Sequence, residues 1–228
     1  FGTLVSVFIV YWKDIVELVK ELGAVFKDIF TGKGLRINAN PTRRLGFMII
    51  VATIPTGIIG ILFNDAFSSM YLSLVAIGTG LVCTGTILFI AERMGKSNKT
   101  VTEMKFRNAV FVGVMQGIAI CPGVSRSGST ISSSLFTGFS KEFAVKFSFI
   151  VSIPAILGAA VLDIPDLFKE GISGGELFNY AAGTVVAAVV GYICIKTMLK
   201  IVRKKKFKGF SIYCAIMGLI SIIGFFLI

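Results

Sequence analysis

The chain has 228 residues, 55% of them hydrophobic and only 15% charged, which excludes an ordinary water-soluble domain and points to a polytopic membrane protein. Its net charge of +11 reads as positive-inside loops rather than nucleic-acid binding, because no basic patch interleaved with aromatics sits on a soluble domain. There is no histidine, so His nucleophiles, bases and metal ligands are excluded within this sequence, and Cys83, Cys121, Cys194 and Cys214 are too widely spaced for a disulfide framework or a zinc site.

Residues 1–12 are apolar but too short to span a bilayer, and they read as the second half of a helix that ends on the interfacial anchors Tyr11 and Trp12. Residues 13–30 alternate Ile15, Leu18, Val19, Leu22, Val25 and Phe26 with charged residues, which predicts a helix lying along the membrane surface. Gly32, Gly34 and Asn40-Pro41 then make a turn. Full spans are expected at about 45–63, 71–91, 143–162, 177–198 and 211–228. Asn64 and Asp65 end the first, and Gly78, Gly80 and Gly85 in the second suit close helix packing. A polar loop is expected at 92–102, and a loop bearing Asp163, Asp166, Glu170 and Glu176 before the fourth span.

The segment 106–140 breaks this pattern. Pro122-Gly123 ends a helix at about Cys121, and Ser125 or Ser127 can cap a new one that runs to about Phe139. Such half-helices are tolerated at membrane depth only where the break lines a cavity or packs in protein. Arg126 is the only charged residue between Arg107 and Lys141. Burying it costs about 2.5–3.5 kcal/mol on insertion scales, so it needs a partner or a task. Backbone N–H groups at the open end of the second half-helix, beside a guanidinium, form an anion site that suits phosphate. The alternative is a polar kink whose Arg126 pairs with an acid on another helix. Ser132, Ser133 and Ser134 read as packing residues, and Cys121 as a small buried side chain.

Basic residues set the orientation. Segments 13–44, 92–107 and 196–208 hold seven, five and seven Lys or Arg, whereas 64–70 holds none and 163–176 only Lys169. The three rich loops share one side if 106–140 enters and leaves on the same face. Ile54-Pro55 and Ile153-Pro154 lie in similar spans that close on Asp65 and Asp163, an echo that suggests structural repeats. The expectation is therefore an all-α polytopic membrane protein with inverted repeats and re-entrant helix pairs, the second pair at about 106–140. It is read as a single transmembrane domain over 1–228, with its second repeat at about 103–228 and the start of the first repeat lying upstream of Phe1.

Gln116-Gly117 and Pro122-Gly123-Val124-Ser125-Arg126-Ser127-Gly128-Ser129-Thr130 resemble the second signature of the undecaprenyl-diphosphate phosphatase, or bacitracin-resistance, family. The resemblance covers essentially the whole chain, including Ala91-Glu92, Phe147-Ser148-Phe149, Ile153-Pro154 and the basic loop before the last helix. It implies a multi-pass enzyme of the bacterial plasma membrane that removes the terminal phosphate of a C55 polyprenyl diphosphate, recycling the lipid carrier of peptidoglycan synthesis, with its site facing outside. It carries over Arg126, Ser125 and Thr130 as catalytic or phosphate-binding positions, with Ser127, Gly128, Gln116 and Gly123 as substrate-binding positions. It also implies a divalent cation, Mg²⁺ or Ca²⁺, for which this sequence offers no ligand set. The family's first signature, Glu/Gln-x-x-x-Glu followed by Ser-Ser-x-Gly-His, does not occur in this sequence.

The chemistry leaves alternatives open. Arg126 can grip two phosphate oxygens at once, and backbone N–H groups with the hydroxyls of Ser125, Ser127 and Thr130 can complete a cradle. The nucleophile is water activated by a carboxylate, or Ser125 or Thr130 acting covalently. A lipid-phosphate transporter or flippase, and a non-catalytic lipid-binding protein, are the competing readings. Expected partners are the polyprenyl diphosphate, the bilayer and a second copy of the chain as a homodimer, with no nucleic acid.

Overall fold

A computed structural model describes residues 1–94, 98–170, 174–203 and 208–227. Among them the regular structure is helical, apart from one isolated bridge between Lys99 and Phe139. The helices are α1 (Gly2–Val10), α2 (Trp12–Phe30), α3 (Pro41–Leu62), α4 (Asn64–Met70), α5 (Leu74–Arg93), α6 (Phe106–Ile118), α7 (Arg126–Phe136), α8 (Lys141–Glu170), α9 (Gly174–Arg203) and α10 (Lys208–Leu227). Stretches of α3, α5, α8, α9 and α10 are long and apolar enough to cross a membrane, matching the five expected spans. Their outward stripes are apolar as well. Ile50, Ile54, Ile58 and Ile61 are exposed along α3, and Ile212, Ile216, Leu219 and Ile223 along α10. Continuous apolar stripes of this kind suit hydrocarbon rather than water.

The chain forms two compact units, Phe1–Gly46 with Phe149–Lys200, and Phe47–Ser148 with Ile201–Ile228. In the first, α1 runs alongside α9 in the same direction. An added Cβ at Gly2 would meet the Thr184 carbonyl oxygen at 2.3 Å, and the Ser6 hydroxyl donates to the Ala188 carbonyl at 2.8 Å. The amphipathic α2 follows after a bend at Tyr11 and is tied down by Arg43 at the start of α3. The guanidinium donates to Glu21 at 3.0 Å and to Asp28 at 2.7 Å. That bond holds the Asp28 carboxyl below the usual carboxylate range.

In the second unit, α5 packs closely on α10. Gly78 and Gly218 lie against each other's backbone, and the Ser211 hydroxyl donates to the Gly85 carbonyl at 2.6 Å. α3 packs closely on α6, where a Cβ at Gly113 would meet the Ala52 carbonyl oxygen at 2.0 Å. Met48, Ala52, Ala109, Val112, Ile131 and Phe147 form its buried core.

Several boundaries differ from expectation. α6 stops at Ile118, and two tight turns, Ile120 N–H to Gly117 and Cys121 N–H to Ile118, carry the chain to the break. α7 stops at Phe136 because Gly138 turns the chain at φ 87°. Asn64 and Asp65 do not start a loop but open the short helix α4. The expected loop from Asp163 is helical as far as Glu170, and α9 already includes Glu176; residues 171–173 lie outside the described set. Acidic residues end a hydrophobic stretch without breaking a helix, which simply continues beyond it. The tip of the basic loop, 204–207, also lies outside the described residues.

Candidate functional site

The turn between α6 and α7 is built against α5. Gly123 adopts φ 81°, in the left-handed region, and an added Cβ there would meet the Ile77 carbonyl oxygen at 2.0 Å. On the facing side, a Cβ at Gly80 would meet the Pro122 carbonyl oxygen at 2.5 Å. One helical turn on, the Thr84 hydroxyl donates to the Gly80 carbonyl at 2.9 Å and accepts from the Ser125 N–H at 2.9 Å. The paired glycines therefore let two backbones touch, and Thr84 fastens the contact. Replacing Thr84 by valine, of nearly the same shape, leaves the half-buried Ser125 N–H unpaired. The expected cost is about 1–3 kcal/mol, read as a lower midpoint of thermal unfolding in detergent, with Thr84→Ser close to the parent.

Ser125 caps α7, its Oγ accepting from the Gly128 N–H at 3.1 Å. The Ser129 N–H is taken by the Ser125 carbonyl at 2.9 Å. The N–H groups of Arg126 and Ser127 then have no carbonyl behind them in the helix and point out of its end. The side chains of Arg126 and Ser127 are half-buried at that end. No ion pair to Arg126 is found among the described residues, and Glu103 is occupied in capping, accepting from the Thr100 N–H at 3.2 Å. The kink stabilised by an acidic partner is thus not what is seen among these residues.

Thr130 is buried one turn into α7. Its hydroxyl lies 2.9 Å from the Arg126 carbonyl and within hydrogen-bonding distance of the Ser148 hydroxyl on α8. Gly128 is buried behind the cap. Gln116 is also buried but lies on α6, where its Nε2 faces the Thr56 hydroxyl of α3 at 3.4 Å. Ser125, Arg126, Ser127, Gly128 and Gly123 are thus gathered at the turn, whereas Thr130 and Gln116 face helices behind it. Ser132, Ser133 and Ser134 are fully buried, as packing residues should be. Cys121 is only partly covered.

Thr84 and Thr56 support this site without having been singled out from sequence, while Gly80 was read only as a packing glycine and Ser148 only as part of Phe147-Ser148-Phe149. The one signal was Gly80 and Thr84 four residues apart, which places a gap and a hydroxyl on the same helix face. Among the described residues no group of three or more His, Cys, Asp or Glu could hold a metal ion, so the side chains at this turn do not fit a protein-bound cation.

Comparison with known proteins gives a consistent picture. The model of the family "Bacitracin resistance protein BacA" matches residues 1–220. An "Undecaprenyl-diphosphatase" of Alkaliphilus metalliredigens is 47% identical over 222 residues, covering 97% of this chain and 80% of that protein. Proteins of the same name from Halothermothrix orenii and Methanosphaera stadtmanae are 40% and 38% identical, covering 98% and 97% of this chain and 80% of each relative.

Proposed function

The chain belongs to the bacitracin resistance protein BacA family, and from that membership we propose that the α6–α7 turn is where it hydrolyses undecaprenyl diphosphate to undecaprenyl phosphate and inorganic phosphate. This is an integral-membrane phosphatase that recycles the lipid carrier of peptidoglycan synthesis and confers bacitracin resistance. One observation carries the placement: a guanidinium with no ion pair among the described residues stands at the open N-terminal end of α7, inside an apolar protein.

The geometry supports the following roles. Arg126 takes two non-bridging oxygens of the terminal phosphate, and the N–H groups of Arg126 and Ser127 take charge that develops on it. The Ser127 hydroxyl completes the cradle. Gly123 lets the turn sit against Ile77 of α5 and Gly128 gives its N–H to the Ser125 cap, so both shape the turn that meets phosphate. Ser125 holds the helix end open by capping, and Thr130 anchors the first turn to Ser148. Gln116 fixes α6 against Thr56. Water attacks the terminal phosphorus as its bond to the bridging oxygen breaks; the bridging oxygen stays on undecaprenyl phosphate, and both hydrogens of the water leave with the inorganic phosphate as H2PO4⁻. Water fits better than Ser125 or Thr130 as nucleophile because the Ser125 oxygen is engaged by Gly128 and Thr130 is buried against α8. A divalent cation, Mg²⁺ or Ca²⁺, would come to this turn with the substrate, since no carboxylate group among the described residues is placed to hold it here.

We read 1–228 as one transmembrane domain with its site facing outside. Its repeats would make α3 and α8 counterparts, and both carry their proline inside the helix. The chain purified in detergent is expected to release phosphate from a polyprenyl diphosphate and leave the monophosphate, seen by mass spectrometry. A folded protein that binds the lipid without releasing phosphate would overturn this reading in favour of a lipid transporter.

A further inference from the structure

α2 carries a heptad pattern that the phosphatase chemistry does not use. Trp12-Lys13-Asp14, Val19-Lys20-Glu21 and Phe26-Lys27-Asp28 repeat an apolar residue, a lysine and an acid every seven positions. At about 100° per residue, this spacing draws three ridges along one helix. The acidic ridge is fastened, since Glu21 and Asp28 both bind Arg43. The apolar ridge is turned away from that anchor. Trp12, Val19, Phe26 and the adjoining Phe30 are 60 to 87% exposed. Lys13, Lys20 and Lys27 are exposed along the flank between the two ridges.

We propose that α2 is an anionic-phospholipid-binding helix, whose apolar ridge enters the boundary between headgroups and acyl chains while Lys13, Lys20 and Lys27 hold lipid phosphates. Three observations favour lipid over a second copy of the chain. A coiled-coil seam is narrow and flanked by charges of both signs. Here Leu22 and Ile29, beside the ridge, are apolar and 46% exposed, which widens the arc as an interfacial helix requires. Arg43 engages Glu21 and Asp28, which leaves three exposed lysines against one exposed acid, Glu17, along this flank. Finally, α1 and α9 run the same way, so α2 begins towards the end of α9 that carries Lys196 and Lys200. That end suits a negatively charged leaflet, where each lysine near the surface gains from anionic lipid.

Trp12 is the only tryptophan and lies on the apolar ridge, so its fluorescence reports on α2 alone. The full chain is reconstituted in phosphatidylcholine vesicles that contain a minority of brominated lipid, either phosphatidylglycerol or phosphatidylcholine. Quenching by the brominated phosphatidylglycerol is expected to be about twofold stronger. The two should become equal in the K13Q/K20Q/K27Q variant, and the parent's preference should fade at high salt. Equal quenching in the parent, or a preference that survives both salt and the triple variant, overturns the lysine row as a lipid site. No quenching by either lipid overturns the proposal outright and assigns the ridge to another copy of the chain.

Discussion

Replacing Arg126 by alanine is expected to lower the turnover of polyprenyl diphosphate by about 10²–10³-fold, the effect of removing one preorganised donor at a developing oxyanion. The guanidinium stands at the end of α7 without a carboxylate partner among the described residues, so its loss exposes no buried acid and should leave the fold intact. Arg126→Lys keeps the charge but loses the two-pronged grip, so its rate should fall between the parent and Arg126→Ala. Phosphate release in detergent measures all three, with the thermal midpoint as the check on folding. Equal release by the parent and Arg126→Ala would show that the phosphate is read elsewhere.

The second large effect is expected at Gly123. An alanine there must occupy φ 81° and place its Cβ 2.0 Å from the Ile77 carbonyl oxygen. Backbone strain of about 1–3 kcal/mol and overpacking of about 1–3 kcal/mol then act on one residue. The turn must move away from α5, which breaks the Thr84 bond to Ser125 and shifts the end of α7. Gly123→Ala should therefore lose both thermal stability and phosphate release. Gly224→Ala on α10, where a Cβ meets nothing within 4 Å, should be neutral or slightly stabilising. Unfolding followed with a thiol-reactive dye on the four cysteines compares the two. Parent-like stability in Gly123→Ala would mean that the contact with Ile77 is not maintained.

These contrasts show what a sequence can disclose. The five spans, the amphipathic helix after Tyr11 and the broken pair at 106–140 were legible because each rests on local physics: apolar length, alternation of apolar and charged residues, a Pro-Gly stop and a serine cap. The turn's scaffold was not legible. Thr84 reads as an ordinary polar residue in a span, and Gly80 as one more packing glycine beside Gly78 and Gly85. Only folding shows that Gly78 and Gly85 face α10 while Gly80 faces the turn. Likewise Ser148 and Thr56 matter through contacts made 18 residues away with Thr130 and 60 away with Gln116. The extension of α8 to Glu170 was missed because acids mark the end of an apolar run, not of a helix.

The contact between α5 and the turn also bears on how substrate is met. Ser125 is held by Thr84 on one side and by its own cap on the other before any ligand is present. The entropy of ordering these dipoles is therefore lost once, when the chain folds, and not again at each encounter. At the proposed site, a diphosphate that leaves water would exchange a mobile hydration shell for groups already aimed, with little reorientation left for the moment when the anhydride breaks. On this reading the glycine at 80, which touches no phosphate, lowers a kinetic barrier by allowing a rigid wall to stand close behind the site.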